Sequence, residues 1–294
     1  DNIIDANQYA VPEIEEMTRA TRKLGLGVMG FADMLIMLGV RYDSTEGIEL
    51  GRKVMRFIQE TADNESRRLA EARGPFPAWE GSPLERAGET PLRNACRLTV
   101  APTGTISMIA GCSSGIEPIF SLAFRKHNIL GGETLYYVDR NFEAVARERG
   151  FFSDELMAYL ADGGSLQERD DVPQDVRDLF RVAADISPED HVRMQAAFQE
   201  STDAAISKTI NFPNEATRDD VETAYKLAWE LKCKGITVYR AGSREMEVLT
   251  SGTGDGEKAP AEEAEAVTTG YLTPRDRPAE VSGVTRRIHT GHGN

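Results

Sequence analysis

The alternation of apolar and polar positions divides this 294-residue chain into a succession of helices and short strands. Apolar residues at helical spacing predict a helix from Pro12, with acidic residues in its first turn and Arg19, Arg22 and Lys23 towards its end. That is the charge order the helix dipole favours. Further helices are predicted over Phe31–Leu38, from the cap Ser44 to Arg73 before Gly74-Pro75, and over Asn141–Arg149, Asp154–Leu160 and His191–Ala205. Arg97–Ala101, ISKTINF (206–212) and GITVYR (235–240) read as strands. The last two flank a helix over 217–232 capped by Thr217. Strand, helix, strand is the order of a β-α-β crossover, so the expected fold class is α/β.

The character changes near Leu249. TSGTGDGEKAPAEEAEA has almost no large apolar residues and cannot bury enough surface to offset ordering, so 250–270 is expected to be an acidic flexible linker. The basic tail, 271–294, is expected to begin a further, truncated module. Residues 1–249 then form the main domain. The chain opens without Met on what reads as mid-domain sequence, DNIIDANQYAVPEIEE, and is expected to be a piece of a longer protein.

Composition narrows the classes. A formal charge of −14 disfavours a general nucleic-acid surface, which needs clustered Lys and Arg, and leaves any anionic ligand dependent on a local site. The three cysteines, Cys96, Cys112 and Cys233, are dispersed and odd in number, which suits a reducing cytoplasm better than a disulfide framework. The longest apolar run, GLGVMGFADMLIMLGV, holds Asp33 and four glycines and is too short to span a bilayer, so no membrane partner is expected.

Two glycine-bearing stretches invite a chemical reading. GLGVMG (25–30) matches the dinucleotide fingerprint, but polar helical sequence precedes it where a buried strand is required. It is read as a glycine-rich connection packed between elements. The stretch VAPTGTISMIAGCSSGIEP (100–118) is different. A strand ends at Ala101, Pro102 stiffens the exit, and Thr103, Gly104, Thr105, Ile106 and Ser107 lead into a helix. Such a turn points unpaired N–H groups outward, with hydroxyls of Thr103, Thr105 and Ser107 as further donors and Gly104 permitting close approach. It would hold a phosphate. It would equally serve as a capped turn with no ligand, and it is not a Walker loop, because no Gly-Lys-Ser/Thr follows.

The residues APTGTISMIAGCSSGIEP resemble the phosphate-binding loop of ribonucleotide reductase large subunits, most closely the adenosylcobalamin-dependent (class II) enzymes. The resemblance continues through RKLGLGVMGFADML, RGPFPAWEGS, ISPEDHVRMQAAFQ, SKTINFP and CKGITVYRAGSRE, over roughly 240 residues in family order. It implies the C-terminal half of a ten-stranded α/β barrel, with substrate diphosphate held by Pro102, Thr103, Gly104, Thr105 and Ile106. It implies adenosylcobalamin as cofactor, a ribonucleoside diphosphate as substrate, a thioredoxin-like reductant and a homodimer. Class I enzymes carry two adjacent tyrosines where this chain has Tyr239-Arg240, which favours class II. A class I large-subunit fragment and a catalytically silent phosphate- or nucleotide-binding domain are the alternatives.

The family's Asn-x-Cys-x-Glu segment with its thiyl-radical cysteine does not occur here and is expected upstream, with the redox pair, so the isolated chain is expected to be inactive. Cys96 and Cys112 are expected to be buried small hydrophobes, and Cys233 to lie near a helix end. Glu117 is expected to tie the loop to its neighbours, ahead of a place beside the ribose, and Tyr239 to pack in a strand rather than react. Lys208 and Asn211 read as a solvated strand end in preference to lining the barrel mouth. His289 and His292 make only a weak metal signal.

Overall fold

The computed structural model describes residues 1–129 and 133–243, with side chains described outside 125–136. The linker and tail, with His289 and His292, lie outside the described residues.

In chain order the elements are α1 (Asn2–Ala6), α2 (Pro12–Thr21), α3 (Phe31–Met37), α4 (Thr45–Arg73), α5 (Pro83–Arg86) and α6 (Gly104–Ala110). A hairpin of β1 (Ala123–Ile129) and β2 (Glu133–Val138) follows, then α7 (Arg140–Glu148), α8 (Asp154–Ala161), α9 (Gln174–Leu179) and α10 (Pro188–Gln199). The crossover β3 (Thr209–Phe212), α11 (Arg218–Glu230) and β4 (Thr237–Arg240) closes the described part.

The caps explain several boundaries. Ser44 accepts the Gly47 N–H, and α4 runs to Gly74, whose φ of 82° ends it. Thr217 and Asp220 form a reciprocal capping box on α11. Helix α10 begins at Pro188 behind the cap Ser187 and stops at Gln199, six residues short of the expected end. There Gln199 turns its amide nitrogen back to the carbonyls of Thr202 and Ala204. The antiparallel β1–β2 hairpin and the short helices α1, α5 and α9 carry no strong periodicity and were not anticipated.

Parallel pairing organises the middle of the chain. Leu26 bridges Leu98, Val100 bridges Ile206, and β3 pairs with β4 from Thr209↔Thr237 to Phe212↔Arg240. Four segments thus lie side by side in the order 24–26, 97–100, 206–212 and 237–240. Outside β3 and β4 each contact is a single bridge, so Arg97–Ala101 is a shorter pairing than the strand expected from sequence. Asp203 takes the place of missing ladder bonds: its carboxylate accepts from the Arg97 and Leu98 N–H groups and from the Arg97 guanidinium, which also reaches Asp63.

GLGVMG packs as a glycine connection. A Cβ on Gly27 would stand 2.2 Å from the Thr99 carbonyl oxygen, so only glycine lets residues 24–27 lie against the 97–100 segment. The main core joins Phe31, Tyr42, Met55, Leu98, Val100, Ile116, Phe142 and Phe198. Helix α4 crosses α10 where Gly51 meets the Phe198 ring, and Phe31 sits edge-on to Phe198 at 4.9 Å. Among the described residues no helix is long and apolar enough to cross a membrane.

Candidate functional site

The turn after Val100 is built on a backbone choice that its residue type disfavours. Thr103 adopts φ 49°, the left-handed region that β-branched residues avoid, and caps α6 without a side-chain bond to that helix. Its hydroxyl oxygen instead accepts the Gly115 N–H at 2.8 Å. Gly115 can come this close because it is glycine: at φ 47° its Cβ would already press on the Ala101 carbonyl at 3.2 Å. The first N–H groups of α6, on Gly104, Thr105 and Ile106, precede the helical hydrogen-bond ladder, which opens with the Ser107 N–H on the Thr103 carbonyl. Pro102, Gly104, Thr105 and Ile106 are exposed. Ser107 faces inward: its hydroxyl meets Ser114 Oγ at 2.8 Å and donates to the Gly104 carbonyl.

The limb that returns from α6 is pinned along its length. The Cys112 N–H donates to the Ser107 carbonyl, the Ser113 carbonyl accepts the Gly30 N–H, and the Ser113 N–H donates to the carboxylate of the buried Asp33. Asn141 holds the other oxygen of Asp33. The Tyr42 hydroxyl donates to the Ile116 carbonyl at 2.6 Å, from inside the core.

Glu117 ends this limb in a buried ionic cluster. One carboxylate oxygen accepts the Thr209 N–H at 2.6 Å, and the other accepts from Lys208 Nζ at 2.9 Å. The Lys208 side chain is 0% exposed, against 25% for Glu117. Its ammonium also donates to His191 Nδ1 at 2.9 Å and to the Thr209 carbonyl. His191 Nε2 faces the Ala183 carbonyl, which only accepts, so Nε2 carries the proton and Nδ1 is the bare acceptor. Burial, then the Lys208 charge, lowers the His191 pKa to about 3, so the ring is neutral. Burial lowers the Lys208 pKa while Glu117 opposes the shift, and the Tyr42 hydroxyl is raised well above its usual range by burial and by Glu117.

Glu117 is therefore the tie between loop and strand that the sequence suggested. Lys208 is a correction: it is not a solvated strand end but a fully engaged buried cation. It lies in phase with the buried Ile206, Ile210 and Phe212, so alternation along ISKTINF was the signal that placed it inside. Asn211 is half-buried within β3, and Tyr239 is half-buried opposite it in β4. Nothing in the sequence linked Tyr42 or Asp33 to the loop, which they reach across 74 and 80 residues, or His191 to Lys208. Cys96 and Cys112 are half-buried rather than buried, and Cys233 lies beyond the end of α11. Burial raises the Cys96 and Cys233 thiols, Cys96 further through Asp203. Among the described residues no cluster of His, Cys, Asp and Glu is arranged to hold a metal.

The family model for the ribonucleotide reductase barrel domain matches residues 1–239. A vitamin B12-dependent ribonucleoside-diphosphate reductase of Thermoplasma acidophilum is 51% identical over 258 residues, 88% of this chain and 33% of that protein. The protein of the same name from Mycobacterium tuberculosis is 51% identical over 251 residues, 85% of this chain and 36% of its own. This chain thus spans about a third of the length of these relatives. Among solved structures, the Actinobacillus ureae class Id ribonucleotide reductase alpha subunit aligns with a TM-score of 0.67 at 23% identity, covering 82% of this chain and 44% of that one.

Proposed function

This chain belongs to the ribonucleotide reductase barrel-domain family, and we propose on that premise that it is the C-terminal part of the catalytic barrel of a vitamin B12-dependent ribonucleoside-diphosphate reductase. Its Pro102–Ser107 turn receives the substrate's diphosphate. The names and identity of the Thermoplasma and Mycobacterium relatives support the reaction class. The four parallel segments, 24–26, 97–100, 206–212 and 237–240, support a portion of an α/β barrel.

The observation that carries the reading is the open turn. Gly104 has nothing within 4 Å of the place a Cβ would occupy, so a ligand can meet the backbone directly. Diphosphate oxygens accept from the N–H groups of Gly104, Thr105 and Ile106, and the Thr105 hydroxyl adds a donor. The partial positive end of α6 favours that charge. On a chain of net charge −14 such local donors, rather than long-range attraction, bring the anion in.

Adenosylcobalamin, when bound, supplies the homolysis that starts the radical chemistry. Among the described side chains His191 would not hold it, because both of its ring nitrogens are engaged inside the core. The thiyl and redox cysteines are assigned to upstream sequence of the whole protein. A thioredoxin-like protein is the reductant, and the assembly is a cytoplasmic homodimer.

The test is cytidine diphosphate reduction with adenosylcobalamin and dithiothreitol, by this chain alone and by the chain joined to its native upstream sequence. Activity in the joined form alone is the expected result. Activity of the isolated chain would overturn the division of labour, since the three cysteines here would then have to suffice. Inactivity of both would favour a class I partner requirement or a silent binding domain.

A further inference from the structure

The buried Lys208 is the group in this molecule whose chemistry the phosphate turn leaves unused. Its three N–H bonds are all directed, to Glu117 Oε2, His191 Nδ1 and the Thr209 carbonyl. Of these partners only Glu117 belongs to the loop that carries the turn. Glu117 in turn anchors a short limb: two residues earlier, Gly115 donates to Thr103, the residue held in the left-handed region immediately before the first N–H groups of α6.

Resting on the phosphate-turn reading above, we propose that Lys208 is a positioning residue for the substrate diphosphate: it holds Glu117, and through Glu117 the limb on which Thr103 and the turn are seated. The chain of consequence is physical. Without the ammonium, Glu117 is left with one backbone N–H partner, and its carboxylate, already 25% exposed, moves towards water. The limb then loosens at Gly115, and Thr103 loses the bond that stabilises its unfavourable φ. The N–H groups of Gly104 to Ile106 no longer converge on one anion. The freed carboxylate also adds unneutralised negative charge to the same loop. His191 completes the device: as a neutral acceptor it satisfies the third ammonium proton without competing for Glu117.

The experiment uses the full-length reductase that contains this chain, assayed for cytidine diphosphate reduction with adenosylcobalamin and dithiothreitol, with inorganic pyrophosphate as a competing probe. K208M is expected to raise both the KM for cytidine diphosphate and the inhibition constant of pyrophosphate by about tenfold, with kcat within about threefold, because binding rather than chemistry is lost. E117Q is expected to act in the same direction. The double variant E117Q/K208M is expected to be no worse than K208M alone, because the two residues act as one unit. If K208M yields no folded protein, E117Q keeps an acceptor for the Thr209 N–H and carries the same test. Unchanged KM and pyrophosphate inhibition in a folded variant, whatever its melting temperature, overturns the proposal in favour of a purely structural cation. The variant G104V separates the two levels of inference. If G104V raises KM and K208M does not, the positioning role falls and the turn reading stands; if neither does, both fall.

Discussion

Replacing Gly27 by Ala probes the pairing that seats the first parallel segment. The added Cβ would lie 2.2 Å from the Thr99 carbonyl oxygen and 3.3 Å from its carbon, and backbone cannot rotate away as a side chain can. Residues 24–27 must therefore lift from 97–100, where two backbone bonds join the segments: the Thr99 N–H donates to the Leu26 carbonyl, and the Leu26 N–H to the Arg97 carbonyl. Losing or stretching two such bonds costs about 1–3 kcal/mol, and the overpacking itself roughly 1–3 kcal/mol. Taken with partial relaxation, about 3 kcal/mol is expected. For a domain of this size that lowers Tm by roughly 6–12 °C. The comparison is G25A, whose Cβ would meet Thr99 Cγ2 at 2.8 Å, the end of a side chain that can turn aside. It should cost less than about 1.5 kcal/mol. Urea unfolding of the two variants beside the parent measures the difference. If G27A is no more destabilising than G25A, the close approach of these segments is wrong, and with it the order of the parallel ribbon.

Three further outcomes are expected. G104A sits at the open first position of α6 and should leave stability unchanged or raise it by about 0.5–1 kcal/mol, while weakening pyrophosphate inhibition of the full-length enzyme, since the methyl group stands where the ligand approaches the backbone. D203A removes the acceptor shared by the Arg97 and Leu98 N–H groups and leaves Arg97 with a single carboxylate partner, Asp63, so urea unfolding should show a loss of about 3 kcal/mol or more. The low pKa of His191, about 3 against 6.5 unfolded, means that the unfolded chain binds a proton the native state refuses throughout that window. Its contribution to stability is therefore complete above pH 6.5 and falls by up to about 1.4 kcal/mol per unit as pH drops towards 3. H191Q should flatten this part of the pH–stability curve. A curve equally steep in H191Q would show that the proton uptake belongs elsewhere.

What the sequence determined by itself are the features that depend on near neighbours. Caps at Ser44 and Thr217 and the glycine stop at Gly74 are chemical events within four residues, and the helices they bound lie where expected. The β3–α11–β4 crossover was legible for the same reason, as was the turn that opens α6: each is a local change of period or a concentration of turn-forming residues. The strand phase of ISKTINF even carried the burial of Lys208, although a single Lys among polar neighbours suggested the opposite. Tertiary structure decided the rest. The partners of Lys208 come from Glu117, 91 residues away, and from His191, 17 residues away, and Asn141 reaches Asp33 across 108. A charge can be buried only when the fold delivers its counter-charge and its remaining acceptors to one point, and no period along the chain encodes that meeting. The left-handed Thr103 makes the same point at one residue: its type argues against the conformation, and only Gly115, brought back by the folded limb, makes it stable.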